Sequence, residues 1–202
     1  MLVVVMGVCG TGKTTLATAL SKRLGMPYIE GDELHPKANI DKMSAGHPLN
    51  DADREPWLEL IRTRTEHIAV EQENDEAHTS RRGIIVTCSA LKKYYRDILR
   101  GTYKPKSVPD HLDPPHPNVL PAYFVFIKGD RELLKDRMEK RQGHYMKVGM
   151  LDSQLRDLES PEGEDAVVVV RAEDMTEKQL EDALEELGRL AGPLDTVESS
   201  HK

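Results

Sequence analysis

The chain has 202 residues, enough for one compact domain with its own core. Its 28 Lys and Arg against 35 Asp and Glu leave a formal charge of −7, which argues against a general nucleic-acid binder, since that function needs a basic excess. Two cysteines, Cys9 and Cys88, make neither a disulfide framework nor a zinc motif, no apolar run reaches membrane-spanning length, and residues 1–6 are too short for a signal-peptide core; the expected setting is a reducing cytoplasm, with no membrane and no nucleic-acid partner.

Along the chain, apolar residues 2–6 predict a buried parallel strand, followed by a Gly-rich turn over 7–12. A helix is predicted over 13–24, with Leu16, Ala17, Leu20 and Leu24 on one face and Gly25 as its stop. A short strand (27–30) leads to Gly31-Asp32. Helices are predicted over 35–44 and 51–73, the second capped by Asn50 or Asp51. Then come a strand (83–88), a helix (90–100), a Pro-, His- and Asp-rich surface loop (102–121), a strand (123–127), a helix (131–141), a last strand (167–170) and a last helix (176–190) capped by Thr176. Residues 191–202 lack periodicity and are predicted to be disordered. Alternating strands and helices give an α/β class with a parallel sheet.

The strongest signal is Gly7-Val8-Cys9-Gly10-Thr11-Gly12-Lys13-Thr14, with Thr15 following, which matches G-x-x-x-x-G-K-[ST] between a strand and a helix. Glycines let successive N–H groups turn inward around a phosphate, and the helix aims its positive end there. Lys13 is placed to reach the β- and γ-phosphates of ATP, and the Thr14 hydroxyl to bind Mg²⁺. The competing reading, a turn with coincidental glycines, ignores the agreement of motif and context.

A GTPase would need Asn-Lys-x-Asp, which is absent, and an ATP-driven machine a carboxylate ending the strand that here closes on Thr87-Cys88. Small-molecule kinases remain; they need a carboxylate near the acceptor hydroxyl, cations for an anionic acceptor and a lid that excludes water. Asp32, after the second strand, suits the first role, or else is a turn residue or helix cap. Lys92 and Arg96, four apart, would share a helix face and clamp a carboxylate, or else form a solvated basic face. Arg137, Arg141 and His144, in a basic run around Gly143, suit a mobile lid over 137–150, or else an ordinary basic helix end. Trp57 reads as core, Cys9 as a small residue in a tight loop, Met138 and Met146 as gap-fillers, and His78, His111 and His116 as surface groups.

Taken together, Met6 to Thr14, Gly31-Asp32-Glu33-Leu34-His35-Pro36, Gly46-His47-Pro48-Leu49-Asn50-Asp51, Asp53-Arg54, Pro56-Trp57-Leu58, Cys88-Ser89-Ala90-Leu91-Lys92-Lys93 and Arg141-Gln142-Gly143-His144-Tyr145 resemble the gluconate kinases, in order, over most of the chain. Shikimate kinases share the scaffold, but the D-x-D expected of them after the second strand is replaced by Asp32-Glu33-Leu34. The resemblance implies a three-layer P-loop kinase fold: about five parallel strands flanked by helices, one domain over 1–190 and a substrate-binding helical segment over 32–75. It implies ATP-dependent phosphorylation of the 6-hydroxyl of D-gluconate, feeding the pentose phosphate pathway, by a homodimer. Lys13, Asp32 and Arg137 would be catalytic; Gly7 to Thr15, Arg137 and Arg141 would hold the nucleotide. Asp32, His35, Arg54, Lys92, Arg96 and His144 would hold the acceptor, and Thr14 the metal. A shikimate-kinase-like enzyme and a non-catalytic ATP-binding regulator are the alternatives. The long 102–121 loop and the tail depart from compact bacterial members and fit a eukaryotic version.

Overall fold

A computed structural model of the chain describes residues 1–75, 82–106, 120–140, 148–194 and 196. Five strands, β1 (Leu2–Met6), β2 (Tyr28–Glu30), β3 (Ile84–Cys88), β4 (Ala122–Lys128) and β5 (Val167–Arg171), form one sheet in the order β2-β3-β1-β4-β5. Every neighbouring pair is parallel. Parallel strands need crossovers, here supplied by α1 (Lys13–Leu24), α2 (Lys37–Ser44), α3 (Asp51–Asn74), α4 (Lys93–Arg100), α5 (Arg131–Lys140) and α6 (Val148–Asp157), while α7 (Thr176–Ala191) follows the last strand.

All of β1 and β3 is buried, so helices cover both faces of the sheet and the strands can be apolar throughout. Each such Val, Leu or Ile contributes roughly 1.5–3 kcal/mol by leaving water. In register, Met6 of β1 stands between Cys88 of β3 and Phe126 of β4, so β1 and β3 end level, β4 runs two residues further, and their carboxyl ends open to one crevice. That crevice begins at Gly7.

Local chemistry explains the helix starts. Asn50 accepts the Asp53 N–H at 3.0 Å while Asp53 accepts the Asn50 N–H at 2.8 Å, a reciprocal cap for α3. Three expectations need correction. The helix predicted from residue 90 starts at Lys93, because Ala90 adopts a left-handed φ of 43° and Lys92 is extended. The helix predicted from residue 35 starts at Lys37, because residues 31–34 form a 3₁₀ turn. Met175, not Thr176, flanks α7, and no side chain caps it. α6 is an element the sequence reading did not identify. Most of the 102–121 loop, residues 107–119, and most of the tail lie outside the described residues, as do His78, His111, His116 and Met146. Cys9 and Cys88 are both free thiols, and among the described residues no helix is long and apolar enough to cross a membrane.

Gly31 joins β2 to the crevice. Its N–H donates to Thr87 Oγ1 at 3.2 Å, and its carbonyl accepts the Trp57 indole N–H at 2.8 Å. A Cβ at this position would lie 2.0 Å from the Thr87 carbonyl oxygen, which is backbone and cannot step aside without moving β3. Gly31→Ala is therefore expected to destabilise the fold by about 2 kcal/mol or more, as overpacking against a rigid neighbour does. Urea denaturation checks this; a loss within about 0.5 kcal/mol, the usual range for neutral surface changes, would refute the close approach.

Candidate active site

Gly7, Gly10 and Gly12 take φ values of 141°, 81° and 97°, which side-chain-bearing residues rarely adopt, and so the chain turns tightly from β1 into α1. Thr11 is buried and pins the loop by donating to the Val8 carbonyl at 2.9 Å. The first turn of α1 has no acidic residue, so its positive end is left for a ligand anion. Lys13 Nζ donates to the Val8 carbonyl at 3.0 Å. The cleft walls push its pKa down, against the opposing pull of Asp32 and Glu30.

The loop forms one wall of a cleft of about 510 Å³, a volume suited to a small-molecule ligand. Lys13, Thr14, Asp32, His35, Arg54 and Arg137 all line it, as do Cys9, Gly10, Gly12 and Thr15. Gly7, Val8 and Thr11 instead form the frame behind the loop; a Cβ on Gly7 would meet the Ile127 carbonyl at 3.0 Å. Arg137 reaches the cleft from α5 and donates to the Ala172 carbonyl at 2.5 Å.

The opposite wall descends from β2. Asp32 opens into the cleft; its surroundings raise its pKa by desolvation, with Lys13 pulling the other way. His35 is buried and stacks on Trp57 with ring centroids 4.0 Å apart and planes 17° from parallel. Trp57 is thus core, as expected, and also part of the cleft lining. Asn39 fixes the histidine tautomer. Its Nδ2 donates to the Asp53 carbonyl at 2.8 Å, which orients the amide, and the same nitrogen faces His35 Nδ1 at 3.3 Å. Nδ1 therefore accepts, and the proton sits on Nε2, which points toward Asp32 Oδ1 at 4.0 Å. Burial, then the nearby Arg54 charge, lower the His35 pKa to about 4, so the ring is neutral at physiological pH.

Glu30 is a carboxylate the motif reading did not include. Its Oε2 accepts from Thr14 Oγ1 at 2.8 Å, and it also accepts from the Tyr28 and Thr87 hydroxyls. Burial works against its ionisation, but the hydrogen bonds from Thr87, Tyr28 and Thr14, with Lys13 nearby, prevail and hold its pKa low. A hydroxyl and an ionised carboxylate side by side at the phosphate loop are hard oxygen donors that fit Mg²⁺. Two residues on α6 were also missed: Gln154 lines the cleft and accepts the Cys9 N–H at 2.7 Å, and Asp157 pairs with Arg54. Met138 packs against the loop, its sulfur 3.6 Å from Cys9 Sγ.

Two expected acceptor residues are not among those lining the cleft. Arg96 is fully buried; its guanidinium donates to the Ala90 and Leu91 carbonyls at 2.9 and 3.1 Å and pairs with Glu164. It clamps the turn after β3 to the segment before β5. Lys92 pairs with Asp51 at 2.6 Å, beside Tyr95. The expected shared helix face fails because Lys92 precedes the helix. Arg141 and His144 lie outside the described residues.

A family profile described as an AAA domain matches residues 3–150. A probable gluconokinase of Schizosaccharomyces pombe is 43% identical over 90% of this chain and 85% of that protein. A gluconokinase of Gluconobacter oxydans is 42% identical over 90% of this chain and 88% of its own length. The crystal structure of a gluconokinase from Sinorhizobium meliloti superimposes with a TM-score of 0.73 at 40% identity, covering 94% of this chain and 92% of that one.

The neutral His35 makes stability depend on pH. Unfolding frees the ring to protonate near 6.5, while the folded ring resists until about 4. The unfolded state thus binds more protons in that window, so the contribution is complete above pH 6.5 and is lost as pH falls toward 4. Between pH 7 and pH 4 the wild type should lose on the order of 3 kcal/mol more than His35→Gln. Denaturation curves at both pH values check this, and parallel losses in the two proteins would remove the buried neutral imidazole.

Proposed function

Since this chain belongs to the gluconokinase family, we propose that it transfers the γ-phosphoryl group of ATP to the 6-hydroxyl of D-gluconate, giving 6-phospho-D-gluconate and ADP. The observation that carries the reading is the two-walled cleft: the phosphate loop faces Asp32, His35 and Arg54 across a single cavity.

Phosphoryl transfer asks a protein mainly for positioning and charge. The loop amides, Lys13 and the α1 terminus hold the triphosphate, with Arg137 on the cleft side of α5. Thr14 and Glu30 would hold Mg²⁺, which when bound neutralises phosphate charge. Asp32 orients the acceptor hydroxyl and takes its proton; a carboxylate whose pKa is raised by desolvation is a better base than one in water. The Nε2–H of neutral His35 donates to an acceptor oxygen without adding charge. Arg54 receives the acceptor's carboxylate, in place of the Lys92 and Arg96 pair expected to clamp it. Arg141 is proposed to hold the nucleotide and His144 the acceptor. A cytoplasmic homodimer supplying the pentose phosphate pathway completes the reading.

ADP release should be strong with gluconate and near background with shikimate, glycerate and nucleoside monophosphates. Turnover of one of those with none of gluconate would overturn the substrate; tight ATP binding without turnover of any would favour a regulator. Asp32→Asn should lower kcat by about a hundredfold or more, and a kcat within about twofold of wild type, a change of under 1 kcal/mol in barrier, would take Asp32 out of the reaction.

A further inference from the structure

α6 lines the cleft through Gln154 and, without Asp157 itself being among the lining residues, reaches the acceptor wall by the pairing of Asp157 with Arg54. Gln154 Oε1 holds the Cys9 N–H of the phosphate loop at 2.7 Å. Three residues later, on the same helix face, Asp157 Oδ2 lies 3.2 Å from Arg54 Nη1. Arg54 is only 5% exposed, so its charge requires a partner whenever no ligand is bound. A carboxylate seated on a buried arginine that lines the acceptor wall has the chemistry of a sugar acid's own carboxylate.

We propose that Asp157 is the resident counter-ion of Arg54, given up for the acceptor's carboxylate on binding, and that α6 transmits the exchange to the phosphate loop through Gln154. The identity of the acceptor rests on the gluconate reading above.

Three features favour exchange over joint occupancy. Arg54 Nη1 also lies 3.4 Å from the Tyr95 hydroxyl, which donates to the Asp51 carboxylate, so another anion beside Asp157 would meet like charge. Asp157 is the last residue of α6, where the helix dipole disfavours an anion. The chain just beyond is anchored: the Glu159 N–H donates to the Leu91 carbonyl at 2.9 Å, and Glu159 Oε2 accepts the Lys93 N–H at 2.6 Å. Release of Asp157 therefore moves α6 about a fixed end. Arg131 pairs with Asp152 at 2.7 Å, linking α6 to α5, which carries Arg137 and Met138.

The test uses the full chain and the near-isosteric Asp157→Asn. Removing the internal competitor should lower the KM for gluconate about three- to tenfold and enlarge the thermal stabilisation by gluconate relative to wild type. An unchanged or raised KM, or an unchanged thermal shift, would overturn the proposal, because an aspartate that merely aims Arg54 predicts a weaker acceptor site. Trp57, the sole tryptophan, stacks in the cleft and reports gluconate affinity by fluorescence. In wild type a non-hydrolysable ATP analogue should tighten gluconate binding severalfold, with gluconate tightening the analogue by the same factor. Gln154→Ala should bring that factor toward one; full coupling in the variant would overturn the α6 link. Wild type that neither binds nor phosphorylates gluconate would instead refute the functional reading itself.

Discussion

The end of β2 rests directly on the end of β3, and only a residue without a side chain can sit at that contact. Gly31 takes it, with its N–H on the Thr87 hydroxyl and its carbonyl on the Trp57 indole. The Thr87 hydroxyl also donates to Glu30, and Glu30 accepts from Thr14 on the phosphate loop. One continuous set of hydrogen bonds thus runs from the acceptor wall through two strand ends to the first turn of α1. Each bond adds only about 1 kcal/mol net to stability. Their larger effect is geometric: Asp32 follows Gly31 directly and His35 follows the 3₁₀ turn that begins there, so their distance from the phosphate loop is set by backbone held at Gly31.

Charge is arranged with the same economy. The chain carries a formal −7, yet its cleft gathers Lys13, Arg54 and Arg137. Cations deeper in the fold are neutralised by carboxylates: Arg62 by Glu66, and Arg96 by Glu164. Lys13 instead donates to a neutral carbonyl, a partner that a phosphate outcompetes. His35 stands between the two kinds of site. A protonated ring there would repel Arg54, and burial together with that arginine keeps it neutral.

The apolar runs of β1, β3 and β4 and the glycine loop were legible because their signals are local: period, β-branching and a motif in context. The Asn50 cap was legible for the same reason. What escaped depends on direction in space. Four-residue spacing suggested that Lys92 and Arg96 point together, but the left-handed Ala90 breaks the helix before Lys92, and Arg96 turns inward to two carbonyls. Glu30 looked like an ordinary strand end, and its link to Thr14 spans an entire helix. A carboxylate pair with the D-x-D spacing does flank Gly31, since Glu30 ends β2 and Asp32 follows it. α6 begins with Val148-Gly149-Met150, which has no cap signal, and its polar residues do their work at distant partners, so Gln154 and Asp157 carried no local mark.

The charges lining the cleft constrain which acceptors suit it. Lys13 feels the charge of Asp32, Asp32 lies beside His35, and His35 feels Arg54. In the proposed reading the phosphate sits on Lys13 and the carboxylate on Arg54, on opposite walls of the cleft. Two unit charges about 10 Å apart in a medium of effective dielectric about 20 repel by roughly 1.7 kcal/mol, and a triphosphate multiplies this several times. An acceptor with its reacting hydroxyl beside its carboxylate would place that charge next to the transferred phosphoryl group. One with hydroxyl and carboxylate at opposite ends of a chain keeps the anions apart and gives each its own cation. A linear six-carbon sugar acid phosphorylated at the carbon farthest from its carboxylate meets that requirement, with hydroxyls along the way to accept from His35. One helix touches both walls: Gln154 and Asp157, a single turn apart, hold the Cys9 N–H of the phosphate loop and Arg54.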